Sequence, residues 1–281
     1  MIIDAHTHIF PPAVREKRER YFEGEPDFKH IYDNPRSAMV GADELIRSMD
    51  ENGVDMSVVF GFPWRNVETA RAHNDYVLEA VARYPDRLCG LACVYPLSRG
   101  SDSELNRSLD NGMKGVGELA IYVEQNLRDL GREMSHVAEI VRKRNVPLML
   151  HCNENVGHTY PGKSDIRLKM IYEFLKSLPE TPVILAHWGG GIFFYELMKK
   201  EVQEVMRTIY YDTAASPFLY RPEVYKIAMQ ICGEQKILFG SDYPLIAPKR
   251  YFKEMEESGL TQSQRERVQG LNAQKLFFKE A

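Results

Sequence analysis

The sequence predicts a (β/α)8 barrel of the TIM type, and three observations predict it. Short β-rich runs alternate with longer amphipathic ones over almost the whole chain, several of those β-rich runs are nearly continuous in apolar residues, and eight strand–helix units can be counted. Alternation of this kind marks a parallel sheet with helices outside it. Unbroken apolar strands mark a sheet covered on both faces, and eight units favour a closed barrel over an open sheet. An open doubly wound fold is the runner-up, but no GxGxxG turn follows the first strand. The 281 residues suit one barrel, for which roughly 250 are typical, so residues 1–281 are expected to form a single domain.

The elements follow in order. IIDAHTH from Ile2 is the first strand, DMSVVFGF from Asp55 the second, LCGLACVYP from Leu88 the third and GVGELAIY from Gly115 the fourth. PLMLHCN from Pro147, PVILAHWGG from Pro182, TIYYDTAAS from Thr208 and KILFGSDYP from Lys236 complete the set. Between them, ADELIRSMDENG, VETARAHNDYVLEAVARYP, MSHVAEIVRKRN and PEVYKIAMQICG carry apolar residues at three- and four-residue spacing, the period of a half-buried helix. Two stretches break the rhythm. About residues 9–40 the chain runs without a convincing helix, which marks an active-site loop, and the polar ENVGHTYPGKS follows the fifth strand. A closing helix is expected at about 261–278.

Composition narrows the function. A hydrophobic fraction of 44% and a charged fraction of 27% are those of an ordinary globular protein. The net charge of -4, without like-charge runs, argues against nucleic-acid and membrane partners. Cys89, Cys93, Cys152 and Cys232 form no CxxC and sit in apolar segments, as reduced core thiols in a cytoplasmic protein do. Neither a signal peptide nor a membrane span is read.

His6 and His8, two apart on a strand, face the same way. Alone, that pair is either a chelating pair or two hydrogen-bonded core histidines. The other strand ends supply Glu118 (fourth), His151 (fifth), His187 (sixth) and Asp242 (eighth). In a barrel these ends share one mouth, and imidazole nitrogens with carboxylate oxygens are the donors a divalent ion takes.

The motifs DAHTH, LHCN, AHWGG and FGSDYP, with the closing ERVQGLNAQKLF, resemble the amidohydrolase superfamily over essentially the whole chain. The nearest branch is the one that includes aminocarboxymuconate-semialdehyde decarboxylase. The resemblance implies that His6, His8, His151 and Asp242 are metal ligands. It implies that His187 is a ligand in two-metal members and an acid/base or substrate-orienting residue in one-metal members. Glu118 departs from the decarboxylase branch and is similar to the glutamate that bridges two metals in TatD-like members. The cofactor implied is one or two divalent ions per chain, zinc first and manganese as the alternative. Such an ion lowers the pKa of a bound water. With Asp242 as general base, the expected reaction is hydrolysis of a C–O or C–N bond in a small molecule. The alternative is one-metal, non-oxidative decarboxylation or hydration of an unsaturated or aromatic carboxylic acid. Arg65, Tyr122, Asn153, His158, Tyr160, Trp188, Arg221 and Tyr243 are the expected substrate contacts, the arginines suiting a carboxylate or phosphate. The bland reading of both arginines is pairing with surface acids. Asp4, one layer deeper than His6 on the same strand face, is read as structural or as a support behind the metal ligands, Asp212 as structural rather than catalytic, and His30, His73 and His136 as surface or capping histidines. A homodimer is implied by the family alone.

Overall fold

A computed structural model of the chain describes residues 1–123 and 129–278. Its strands are β1 (Ile3–His8), β2 (Met56–Phe60), β3 (Leu88–Gly90), β4 (Val116–Leu119), β5 (Leu148–Leu150), β6 (Val183–Leu185), β7 (Ile209–Asp212) and β8 (Ile237–Leu238). All paired neighbours are parallel. β1–β2–β3 form one sheet and β4 to β8 another, in chain order. Parallel bridges join the two at both seams, Ala92 to Val116 and Thr7 to Tyr243, and His8 N donates to Tyr243 O at 2.8 Å. The eight strands therefore run round in sequence, β8 returning to β1, as the barrel reading requires.

The ladders are shorter than the apolar runs suggest. β8 keeps two residues and β3, β5 and β6 three each. After β6 and β8 the backbone turns out of the sheet: His187 and Asp242 adopt left-handed φ of 56° and 58°, which no β ladder accommodates. Motif residues thus leave the sheet and turn at its rim.

The helices form where the periodicity places them. The longest, Val67–Arg83, is capped by Asn66, whose side chain accepts from the backbone N–H of Glu68 and Thr69; such a cap contributes about 1 kcal/mol. It stops before Tyr84–Pro85, since a residue preceding proline disfavours helix. Helix Ala42–Asn52 ends at Gly53, which takes φ of 69° at no steric cost. At the C-terminus Thr261 and Gln264 form a capping box, and a helical run from Gln262 to Phe277 follows, with a π turn at Arg267–Leu271.

Residues 9–41 are not bare loop. They contain the short helices Pro12–Glu16 and Pro26–Tyr32 and a 3-10 turn at Arg18–Tyr21. Each is too short to show a helical period in sequence, yet Phe28 and Tyr32 are buried against Phe62 and Trp64.

The core divides in two. A large cluster lies around Leu150, Leu185 and the packed helices, and a smaller one unites Ile3, Ala5, Val58, Phe60, Met149, Ile184 and Leu238 with Leu276 and Phe277 of the closing helix. The pairing of β1 with β2 shifts register between Asp4 and Thr7. Across that irregularity, Ile3 and Ala5 belong to the smaller cluster, while the His6 and His8 rings pack on Phe60 of the same cluster at 5.1 and 4.7 Å. A break in strand alternation changes which side chains share a face, and here it sets two imidazoles above an apolar floor.

Candidate metal centre

Six side chains from five strand ends converge. Glu118 is central. Its Oε2 lies 3.8 Å from His6 Nε2 and 3.9 Å from His8 Nε2, and its Oε1 lies 3.1 Å from His151 Nδ1 and 3.5 Å from His187 Nε2. Asp242 Oδ1 stands 3.7 Å from His6 Nε2 and 3.4 Å from His8 Nε2. Three triads of donor atoms lie within 4.8 Å of one another: His6–His8–Glu118, His6–His187–Asp242 and Glu118–His151–His187. Donors each ~2.0–2.2 Å from one ion stand at such separations from each other.

The hydrogen bonding fits a cation. A carbonyl or carboxylate only accepts, so its imidazole partner must donate. His6 Nδ1 donates to Asp212 Oδ2 at 2.9 Å, His8 Nδ1 to Gly61 O at 3.2 Å and His187 Nδ1 to Ala214 O at 3.0 Å. His151 is reversed, Nε2 donating to Gly162 O at 2.8 Å. Each ring is thus anchored through one nitrogen and turns the other toward the carboxylates. Among the described residues His6 Nε2 is buried with no hydrogen-bond partner, an arrangement that costs about 1–3 kcal/mol unless something fills it.

Burial and charge oppose each other here. Burial pulls the His6 imidazole down, but the Asp212 and Glu118 carboxylates outweigh it and raise its pKa to about 10. His187 follows the same pattern: burial lowers it, while its hydrogen bond to Glu118 and the nearby Asp242 charge carry it up to about 9. Burial pushes Glu118 up, but His6 and His151 hold it well below the usual carboxylate range. Asp242 is also lowered, the His8 hydrogen bond and the His6 charge overcoming burial. The cluster concentrates two anions among four imidazoles in a water-poor pocket.

The expected substrate contacts separate into distinct places. Tyr122 meets the His151 ring edge-on at 4.9 Å and stacks on Phe62. It also lines a cavity of ≈ 530 Å³ with Ile121, Asn155, Lys163, Arg167 and Met170, a size suited to one small ring. Tyr243 is half-buried directly after Asp242. Arg65 is engaged elsewhere: its Nε donates to Asp27 at 2.6 Å, its Nη2 to Val123 O at 2.5 Å, and its guanidinium lies over Tyr95. Trp188 is fully buried, its indole N–H donating to Ser216 Oγ at 3.0 Å. Asn153 is buried and accepts from Ser164 N and Oγ. Tyr160 donates to Glu154 at 2.9 Å, and His158 is exposed. Arg221 is 87% exposed, with Glu223 at 4.0 Å.

Some roles were hidden from the sequence. Asp212, fully buried, orients His6 and also accepts from His187 N and Ala214 N. Asp4 accepts from His6 N and from Ser241 N, tying β1 to the segment that carries Asp242. His73 corrects the reading of a surface or capping histidine: it is 2% exposed, accepts from Trp64 Nε1 and donates to Ile9 O. Its partners lie 9 and 64 residues away, and the pattern VETARAHNDYVLEAVARYP gives no sign of the second.

Comparison with known proteins agrees with this fold. A 2-amino-3-carboxymuconate-6-semialdehyde decarboxylase of Dictyostelium discoideum is 22% identical, covering 96% of this chain and 90% of its own. A gamma-resorcylate decarboxylase of Polaromonas sp. strain JS666 is 24% identical, covering 84% and 86%. Among solved structures, 5-carboxyvanillate decarboxylase from Sphingomonas paucimobilis superposes with a TM-score of 0.78 at 18% identity over 98% of both chains. A dihydroxybenzoic acid decarboxylase from Polaromonas sp. JS666, with bound manganese, gives 0.70 at 19% identity over 98% and 96%. Residues 3–279 match the family model described as amidohydrolase. The chain belongs to the amidohydrolase family.

Proposed function

We propose that this protein is a divalent-metal-dependent, non-oxidative decarboxylase of a small aromatic or unsaturated carboxylic acid. The observation that carries the proposal is that both curated relatives, each matched over most of its length, are decarboxylases. The site's chemistry supports the same reading. His6, His8, His151 and Asp242 would hold the ion, manganese being the metal in one relative's structure, with zinc equally suited to the donor set. Such an ion supplies positive charge against the oxygens of a bound acid.

Loss of CO2 breaks a C–C bond and leaves its electron pair on the substrate carbon, which must gain a proton. His187, with Nδ1 anchored on Ala214 O and Nε2 turned into the cluster, is the group suited to donate it from Nε2 and to recover it from solvent. The Ala214 carbonyl, which takes the Nδ1 proton, and Glu118 Oε1, 3.5 Å from Nε2, hold that ring in place. Tyr122 and the adjoining cavity shape the room for the ring, with Arg167 on its wall to suit an anionic acid and Lys163 there paired with Glu154.

Hydrolysis remains the second reading because Glu118 turns one oxygen to His6 and His8 and the other to His151 and His187, the disposition a two-ion site needs. The relatives favour decarboxylation over it. The test is CO2 release by manganese-loaded protein from a panel including 2,6-dihydroxybenzoate and 5-carboxyvanillate, beside esters and lactones. CO2 from any acid supports the proposal; cleavage of esters or lactones with no CO2 from the acids would replace it by hydrolysis.

A further inference from the structure

Four acceptors orient the four imidazoles of the cluster. Three are backbone carbonyls, those of Gly61, Ala214 and Gly162. The fourth is a side chain, Asp212. It is fully buried at the end of β7 and uses both oxygens: Oδ2 takes the His6 Nδ1 proton at 2.9 Å, and Oδ1 takes the backbone N–H of His187 at 2.9 Å and of Ala214 at 3.0 Å. His187 has a left-handed φ of 56°, a conformation that a non-glycine residue keeps only when its surroundings over-determine it. The carbonyl of Ala214, whose N–H the same carboxylate holds, anchors the His187 ring. Packing closes the arrangement from β8, because a Cβ on Gly240 would stand 2.8 Å from His6 Cβ and 3.3 Å from Asp212 Cβ.

We infer that Asp212 is a positioning residue for metal binding, keeping a proton on His6 Nδ1 so that Nε2, which has no hydrogen-bond partner among the described residues, is the nitrogen turned to the ion, and holding His187 in register with it. The inference rests on the metal-dependent reading above. An outer carboxylate of this kind sets ring orientation and raises the basicity of the ligand nitrogen. A merely structural Asp212 would act through its two backbone contacts alone.

Asp212→Asn separates the two roles. The amide oxygen can still accept from His187 and Ala214. The NH2 group then faces His6 Nδ1 as a donor, which forces the proton onto Nε2 and removes the lone pair from the cluster. Zn2+ and Mn2+ alone, titrated into metal-free protein against a chromophoric chelator, should bind the variant about ten- to a hundred-fold more weakly than wild type. The metal-free melting temperature should stay within a few degrees of wild type. Equal affinity in both proteins overturns the inference and leaves the metal reading standing; failure of wild type to bind either ion overturns both. Should the variant not fold, 1H–15N NMR of zinc-loaded wild type decides: a His6 Nδ1–H with its Nε2 ligated supports the role, and ligation through Nδ1 refutes it.

Discussion

Two buried networks on this barrel use the same residue types for opposite ends. At the latch of the 9–41 segment, Asp27 Oδ1 accepts from the backbone N–H of Tyr122 and Val123, and Oδ2 from Arg65 Nε. Glu25 accepts from the N–H of Arg65 and of Asn66. The Asp27 and Glu25 carboxylates there are met by donors. In the candidate metal centre, Glu118 and Asp242 meet imidazole nitrogens at 3.1–3.9 Å, and His6 Nε2, 3.8 and 3.7 Å from those carboxylates, has no hydrogen-bond partner among the described residues. A satisfied network fixes shape; one with coordination to spare is built for a ligand. The contrast also places Arg65, whose guanidinium ties the latch to the strand-four loop.

The largest effect is expected at His187, the proposed proton donor. His187→Gln should lower CO2 release by roughly 10²–10⁴-fold while the chain stays folded; turnover within threefold of wild type would remove His187 from the reaction. Next comes the latch. Asp27→Ala strands two backbone donors and a paired guanidinium and should cost about 3–5 kcal/mol in urea unfolding, with metal affinity little changed. A latch variant that loses metal as completely as a centre variant would show that the two networks are one.

The fold and the convergence of the six polar side chains were legible because they sit in short motifs at strand ends, where the barrel brings them to one mouth. What was not legible depends on partners distant in sequence. Asp212 lies 206 residues from the His6 ring it orients, and Asp27 reaches Arg65 across 38 residues and Tyr122 across 95. YYDTAAS and the proline-punctuated 9–41 segment carry no pattern that announces these contacts. Trp188 and Asn153 follow motif histidines in sequence, yet they bond to Ser216 and Ser164, because adjacent residues at a strand end need not share a face.

A smaller effect distinguishes a neutral buried imidazole from the charged ones. Burial holds His73 down to about 4, despite its hydrogen bond to Ile9 O. A histidine whose folded pKa lies below its unfolded 6.5 binds fewer protons when folded. Its contribution is therefore fully present above pH 6.5 and is lost as pH falls toward 4, by about 3 kcal/mol at most. His73→Gln should flatten that part of the stability–pH curve; an unchanged slope would show that His73 does not set it. The smallest effect belongs to Arg221→Ala, which removes an 87% exposed side chain. It should change stability by less than about 0.5 kcal/mol and leave turnover alone, whereas a large loss of turnover would return Arg221 to the substrate contacts.

Everything proposed above depends on the Glu118-centred cluster holding a divalent ion. Elemental mass spectrometry on protein purified without chelator, paired with melting curves before and after metal removal, tests it most directly. One or two equivalents of zinc or manganese per chain are expected, with a lower melting temperature once the metal is stripped, since a ligand bound only by the folded state stabilises it. No metal in the purified protein, and no rise in melting temperature on adding either ion, would contradict it.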